Sequence, residues 1–240
     1  MNEHYPIVIA NLKANLIWNQ VSQWIDKVGP KASKFKGTII LCPSAPFLAA
    51  SFQKIHEKSF NIKLGSQDIS IHSMGAYTGE FVASQIEDLV GYSIVGHSER
   101  RKYFNETDEN VIAKIRFLIS SNIIPVLCVS DLRQLESYLK KGSQIIENLK
   151  KIIFVYEPPT AISGGGEYKP EKPEVANKNA LEISQKLGQK VTTIYGGSIN
   201  PENARKFFSQ ANLDGGLIGQ ASVNPETFLQ ILESVSLQYA

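Results

Sequence analysis

Residues 96–104 read Gly-His-Ser-Glu-Arg-Arg-Lys-Tyr-Phe, which puts an imidazole, a hydroxyl, a carboxylate and two guanidinium groups into one short run. Charges are seldom buried without partners, so a cluster this dense makes a poor packing motif. It suits the movement of a proton beside an anion. A short apolar stretch, 92–95, leads into the run and makes it the loop at a strand's C-terminal end. The arrangement recurs twice: Glu157 follows the apolar stretch 152–156, and Gly196-Gly197-Ser198 follows 191–195. Asn11 and Lys13 close the first apolar stretch, Ser163-Gly164-Gly165-Gly166 lies a few residues beyond Glu157, and Gly219-Gln220 lies beyond the last stretch. Glycine turns and helix N-termini aim backbone N–H groups at anions, so the turns at 196–198 and 219–220 are candidate phosphate cradles.

The elements that must position these groups are legible as apolar runs at 7–11, 38–42, 62–65, 92–95, 124–129, 152–156, 191–195 and 213–218. Most are rich in Ile and Val and lack clean alternation, as in parallel strands covered on both faces. Between them the apolar residues take a helical period. Val21, Trp24, Ile25 and Val28 form one stripe over 18–28, and Val111, Ile112, Ile115, Leu118 and Ile119 form another over 111–119. Segments 180–187 and 228–235 behave the same way. Asn200-Pro201-Glu202, Asn224-Pro225-Glu226 and Thr107-Asp108-Glu109 read as helix starts, with a cap followed by proline or acid. Eight strand–helix units predict an α/β protein, one single-domain (β/α)8 barrel (TIM barrel) over 1–240, whose strand-end loops share one face. The glycine- and proline-rich segment 163–172 interrupts a unit, but the repeat continues across it, which argues against a domain boundary.

The chain's 25 basic and 23 acidic residues leave a net charge of +2. That gives no broad basic field, so nucleic acid is not expected as a partner. Cys42 and Cys128 are the only cysteines, too few for a disulfide framework or a metal-spaced set. No metal or organic cofactor is implied. There is no secretory signal and no apolar run long enough for a membrane span. The expectation is a soluble protein of the cytoplasm.

With these residues in view the chain resembles the triosephosphate isomerase family nearly end to end. The resemblance rests on Asn11-x-Lys13, Gly75-Ala76-Tyr77-Thr78-Gly79-Glu80, Gly96-His97-Ser98-Glu99-Arg100-Arg101, Tyr156-Glu157-Pro158, Tyr195-Gly196-Gly197-Ser198 and the stretch from Asp214-Gly215 to Gly219. It implies interconversion of glyceraldehyde 3-phosphate and dihydroxyacetone phosphate through an enediolate, a step of glycolysis and gluconeogenesis. It implies that Glu157 is the base. A carboxylate is ordinarily a weak base, with a pKa of about 4, so closure would have to dry its surroundings. His97 would be neutral and donate to the substrate oxygen, with a helix N-terminus lowering its pKa. Lys13 would attract the phosphate and stabilise the enediolate, with Asn11 orienting it. Ser98 would hold the base in the open state and Glu99 would assist nearby, although for both a structural role stands level with a catalytic one. Arg100 and Arg101 fit ion pairs better than catalysis. Ser163, Ser198, Gly219 and Gln220, with Asn11 and Lys13, would bind the substrate and its phosphate. The long loop 68–80 would insert into a second copy, Thr78 reaching the partner's site, to make a homodimer, with a tetramer left open.

Several positions depart from the family pattern. Thr160 stands where tryptophan is usual, and Ser163 and Gly164 stand where glycine and threonine are usual. Four small residues in a row would make the lid over 160–166 costly to order and less tightly gated. Gln220 stands where glycine or serine is common, and the fifth strand ends in Ser130-Asp131 rather than Gly-Glu. The competing readings are another sugar-phosphate isomerase, or a phosphate-binding barrel that has lost its activity.

Overall fold

The computed structural model describes residues 5–162 and 169–237. The chain alternates β1 (Ile7–Asn11), α1 (Trp18–Ala32), β2 (Thr38–Cys42), α2 (Leu48–Glu57), β3 (Lys63–Ser66), α3 (Ala83–Ile86), β4 (Tyr92–Val95), α4 (Ser98–Phe104), α5 (Asp108–Ser120) and β5 (Ile124–Val129). It continues with α6 (Leu132–Lys141), α7 (Ser143–Glu147), β6 (Ile153–Tyr156), α8 (Pro173–Lys186), β7 (Thr193–Tyr195), α9 (Ala204–Phe208), β8 (Gly215–Ile218), α10 (Gln220–Val223) and α11 (Pro225–Ser236). The eight strands pair in sequence order, all parallel, and β8 pairs with β1 to close a single barrel. This is the (β/α)8 architecture that eight strand–helix units predict.

The strands carry two apolar faces, which is why their sequences do not alternate. Ile9, Ile40, Cys42, Ile94, Val126, Cys128, Ile153, Val155, Ile194 and Leu217 point inward and fill the barrel. Their neighbours Val8, Ala10, Ile39, Leu41, Val95, Leu127, Val129 and Phe154 point outward beneath the helices. Side chains of successive strand residues leave opposite faces, so a doubly covered strand must be apolar throughout. The helical stripes complete the outer layer: Val21, Trp24, Ile25 and Val28 of α1 are buried, and the Trp24 ring packs tilted against Phe228 of α11, centroids 5.1 Å apart. That contact joins the first helix to the last across the closure of the ring.

Two cap signals hold. Thr107 accepts from the Asn110 N–H at the start of α5, and Asn224 accepts from the Thr227 N–H at the start of α11. The third misplaces its helix. Asn200 Oδ1 accepts from the Glu202 and Asn203 N–H groups, but this closes a turn, and α9 begins only at Ala204. An Asx side chain serves a turn and a helix cap by the same hydrogen bonds, so the residue types alone do not separate the two. Among the described residues no helix is long and apolar enough to cross a membrane.

Candidate active site

The C-terminal ends of the strands bring the singled-out residues together. One cavity is lined by Asn11, Lys13, His97, Glu157, Ser198, Gly219 and Gln220, with Ile162, Gly196, Gly197, Ile199 and Leu217 between them. Ser98 and Glu99 border an adjoining cavity that Glu157 also edges. Ser163, and the lid expected over 160–166 from that residue onward, lie outside the described residues.

Glu157 follows β6 and is 2% exposed. Its Oε2 accepts from the Ser98 backbone N–H at 3.0 Å. Its Oε1 lies 3.0 Å from His97 Nε2. The role expected of Ser98 is therefore carried by its main chain. Among the described residues its hydroxyl is buried without a hydrogen-bond partner and does not hold the base.

His97 caps α4. Its Nδ1 accepts from the Glu99 N–H at 3.2 Å. A nitrogen that accepts cannot carry a proton, so this bond selects the tautomer with hydrogen on Nε2, the nitrogen turned toward Glu157. Gly96 ahead of it takes φ +71, where a side chain would also meet the Tyr138 hydroxyl at 2.8 Å. Burial disfavours the charged imidazolium, but the adjacent Glu157 carboxylate outweighs it, and the His97 pKa lies above its usual value. In the resting site the carboxylate thus overrides the lowering expected from the helix N-terminus, and that lift depends on Glu157 staying in contact.

Lys13 has φ +51, a left-handed conformation rare for a residue with a side chain. Such backbone costs on the order of 1 kcal/mol and persists only where surroundings enforce it. Its N–H donates to Asn11 Oδ1 at 3.1 Å, and its ammonium pairs with Glu99 Oε1 at 2.5 Å. Gly219 lies against this lysine, where an added Cβ would come within 3.2 Å of Lys13 Cε. Sequence reasoning missed Ser44 and Gln67, which donate to the Lys13 carbonyl at 3.0 and 2.9 Å. Both are neutral polar residues in loops, and no periodicity or charge marks them.

The turn after β7 differs from expectation. Ser198 N–H and Oγ both donate to Ala161 O, at 2.9 and 2.8 Å, rather than facing the cavity. That carbonyl ends the turn 159–161. Gln220 is exposed and begins the short α10 on the cavity's rim. The guanidinium groups turn away from the cavity, as expected. Arg100 pairs with Asp68 at 2.8 Å and Glu106 at 3.2 Å, and Arg101 with Asp108 at 2.9 Å and the Tyr138 hydroxyl. Burial, and then the Glu157 carboxylate, push the Cys128 thiol up, so it is not a nucleophile.

The family model for triosephosphate isomerase matches residues 6–235. The chain is similar to a protein named triosephosphate isomerase from Mesomycoplasma hyorhinis, 36% identical over 94% of this chain and 97% of that one. It is similar also to the triosephosphate isomerase of Alkaliphilus metalliredigens, 34% identical over 95% of this chain and 98% of that one. A third relative of the same name, from Alkalilimnicola ehrlichii, is 33% identical over 82% of this chain and 85% of its own.

Proposed function

The chain belongs to the triosephosphate isomerase family and interconverts D-glyceraldehyde 3-phosphate and dihydroxyacetone phosphate, and we propose that Glu157 moves the proton in that reaction. One observation carries this reading: Glu157 is buried and borders the cavity, with Oε2 fixed by the Ser98 N–H and Oε1 facing His97 Nε2 at 3.0 Å. Glu157 takes the proton from the carbon beside the substrate carbonyl. The C–H electron pair becomes the carbon–carbon double bond of the enediolate, and the carbonyl π pair moves onto oxygen. The same proton, on Glu157, returns to the former carbonyl carbon, where the carbon–carbon π pair forms the new C–H bond. The hydroxyl on the first carbon gives its proton to the oxygen that gained charge, and its O–H electron pair closes the new carbonyl, so the two trioses are isomers with no net oxidation.

His97 donates from Nε2 to the oxygen that gains charge, and the Glu99 N–H on Nδ1 keeps it in the tautomer that can do so. A substrate seated between Glu157 and His97 separates them, removes the carboxylate's lift and leaves the imidazole neutral. Lys13 supplies the cation, Asn11 orients it, and Glu99 holds it between turnovers. Lys13, Ser198, Gly219 and Gln220, with Ser163 and the rest of the lid, bind the phosphate. For Ser198 this requires its donors to leave Ala161 O. No metal or cofactor enters the reading.

Two copies would pair through loop 68–80. Met74 is 70% exposed and Tyr77 43%, and a second copy would cover both. Tyr77 stacks on His72 at 3.9 Å, which shapes the loop before any partner arrives. Thr78 at its exposed tip would reach the second site, with a tetramer left open, and the enzyme would work in the cytoplasm.

A coupled assay on glyceraldehyde 3-phosphate tests the base. The parent isomerises, and Glu157→Gln and Glu157→Asp lose activity, the former by about 10²- to 10⁴-fold. A Glu157→Gln variant keeping a tenth or more of parental turnover would overturn the assignment.

A further inference from the structure

We propose that Tyr138 is a positioning residue whose hydroxyl ties the backbone at the ends of β4 and β5 together and so sets the spacing between His97 and Glu157. The inference rests on the reading of those two side chains as the reacting groups.

Tyr138 stands in α6, fully buried in the outer layer of the core. Its hydroxyl donates to Cys128 O in β5 at 3.3 Å and accepts from Arg101 Nη2. Arg101 in turn donates from Nε to Gly96 O at 3.3 Å, just beyond β4. Asp108, at the start of α5, holds the guanidinium from another side at 2.9 Å, and its second oxygen accepts from Ser137, the neighbour of Tyr138 in α6. A phenol can donate once and accept as well, so one hydroxyl joins the arginine to the strand. Burial pushes the Tyr138 phenol up, and it keeps the proton that Cys128 O accepts.

Each of the two carbonyls belongs to a planar peptide unit, so a bond to its oxygen also orients the residue that follows. The Gly96 carbonyl shares its plane with the His97 nitrogen, and the Cys128 carbonyl shares its plane with the Val129 nitrogen. Val129 O accepts from the Glu157 N–H at 2.9 Å, so the second plane leads to the base. The two side chains at the ends of these paths stand 3.0 Å apart. Tyr138 also packs so close to Gly96, at φ +71, that a side chain there would strike its hydroxyl. Without that hydroxyl Arg101 loses its link to β5, and the ends of β4 and β5 can part. The gap that the substrate must bridge then changes. Displacements of about 1 Å in a catalytic group can cost roughly 100-fold in rate.

The test compares Tyr138→Phe with Leu135→Ala, which opens a void beneath the same helix but keeps the hydroxyl. Folding is checked by circular dichroism and by the unfolding midpoint. We expect Tyr138→Phe to lower kcat by about 5- to 50-fold, with KM within about twofold of the parent. Its His97 ring, followed by NMR, should titrate at lower pH, because the carboxylate that lifts it stands farther off. Leu135→Ala should lower the unfolding midpoint at least as far, yet leave kcat per folded molecule and the His97 titration close to parental. On a His97→Gln background Tyr138→Phe should cost less than about threefold more, since the spacing has lost one of its ends. A parental kcat or an unmoved His97 titration in Tyr138→Phe overturns the inference. So does Leu135→Ala reproducing either change, or a Tyr138→Phe loss of the same size with and without His97. If Tyr138→Phe does not fold, Arg101→Lys, which removes the donors to Gly96 O and to the hydroxyl, decides by the same readings. Near-parental activity in both Glu157→Gln and His97→Gln defeats the reading of the reacting groups and this inference with it. Losses in both beside a parental Tyr138→Phe defeat this inference alone.

Discussion

One stretch of chain, residues 97–106, feeds two clusters of charge that differ in how they are neutralised. His97 and Glu99 turn into the barrel mouth beside Lys13 and Glu157. Arg100 and Glu106 turn away, to Asp68 and Lys114. In the outer cluster every carboxylate touches a full cation. Lys114 is 3% exposed and contacts both Asp68 and Glu106. Glu106 leaves Oε2 without a donor, but its other oxygen meets two cations. In the mouth, among the described residues, Glu157 meets a peptide N–H, an imidazole whose charge is conditional and the neutral Cys128 thiol, none of them a fixed cation. The outer cluster is arranged to stay fixed. The inner one leaves a carboxylate uncompensated next to a cavity. The difference teaches that burial of charge alone does not mark the reactive site. What marks it is burial without a permanent counter-ion.

Removing the key group from each cluster should break the comparison in opposite ways. Glu157→Gln should lose about 10²- to 10⁴-fold in kcat while unfolding at the same or a higher urea midpoint, because an uncompensated buried charge has been removed. Lys114→Met should do the reverse. It strands Asp68 and Glu106, and the expected loss is about 3–5 kcal/mol in a urea unfolding curve, with kcat per folded molecule close to parental. If Lys114→Met lost turnover without losing stability, the division between a fixed cluster and a reactive one would be wrong.

The sequence already carries much of this division. All eight strands fall where the apolar runs stand, because a strand covered on both faces has few polar positions to blur the signal; Ser66, Ser93 and Thr193 are buried exceptions. The edges shift at β3, β6, β7 and β8. Ile62, Val191 and Leu213 are buried and apolar, yet they precede the first ladder partners. Apolar burial and ladder pairing are separate demands, and composition reports only the first. At the site, charged and glycine-rich motifs at strand ends were readable. Ser44 and Gln67 were not, since their role is set by bonds to a residue 31 and 54 positions away. Lys114 could have been found. It stands in α5 among Val111, Ile112, Ile115 and Leu118, and a lysine among buried neighbours demands a buried acid.

Titration sharpens the contrast further. Burial raises the Asp68 pKa to about 6 even though Lys114 lies beside it. Because the folded value exceeds the unfolded one of about 4, the folded protein holds the extra proton between them. This group's contribution to stability is therefore present below about pH 4 and lost as pH rises through about 6. Asp68→Asn should remove that part of the pH dependence from urea unfolding curves recorded between pH 4 and 7. An unaltered profile would show that Asp68 does not titrate there. For His97 the lift comes from Glu157. Its ring resonances, followed by NMR, should titrate at lower pH in Glu157→Gln than in the parent. An equal or higher midpoint would mean that the carboxylate does not govern the imidazole.

The smallest effect falls on Ser98, where the main chain and the side chain separate. Its N–H holds Glu157 Oε2, while among the described residues its hydroxyl is buried and makes no hydrogen bond. Ser98→Ala leaves the peptide donor in place and removes a polar atom that had no partner. Such a group costs stability rather than adding to it. The variant should therefore unfold at an equal or higher urea midpoint and lose less than about threefold in kcat, because the base keeps its one firm bond. If the hydroxyl held the carboxylate at any stage of turnover, the loss would reach tenfold or more. KM would then stay near the parental value, because the phosphate contacts lie on other loops. That result would move Ser98 from the frame of the site into its chemistry.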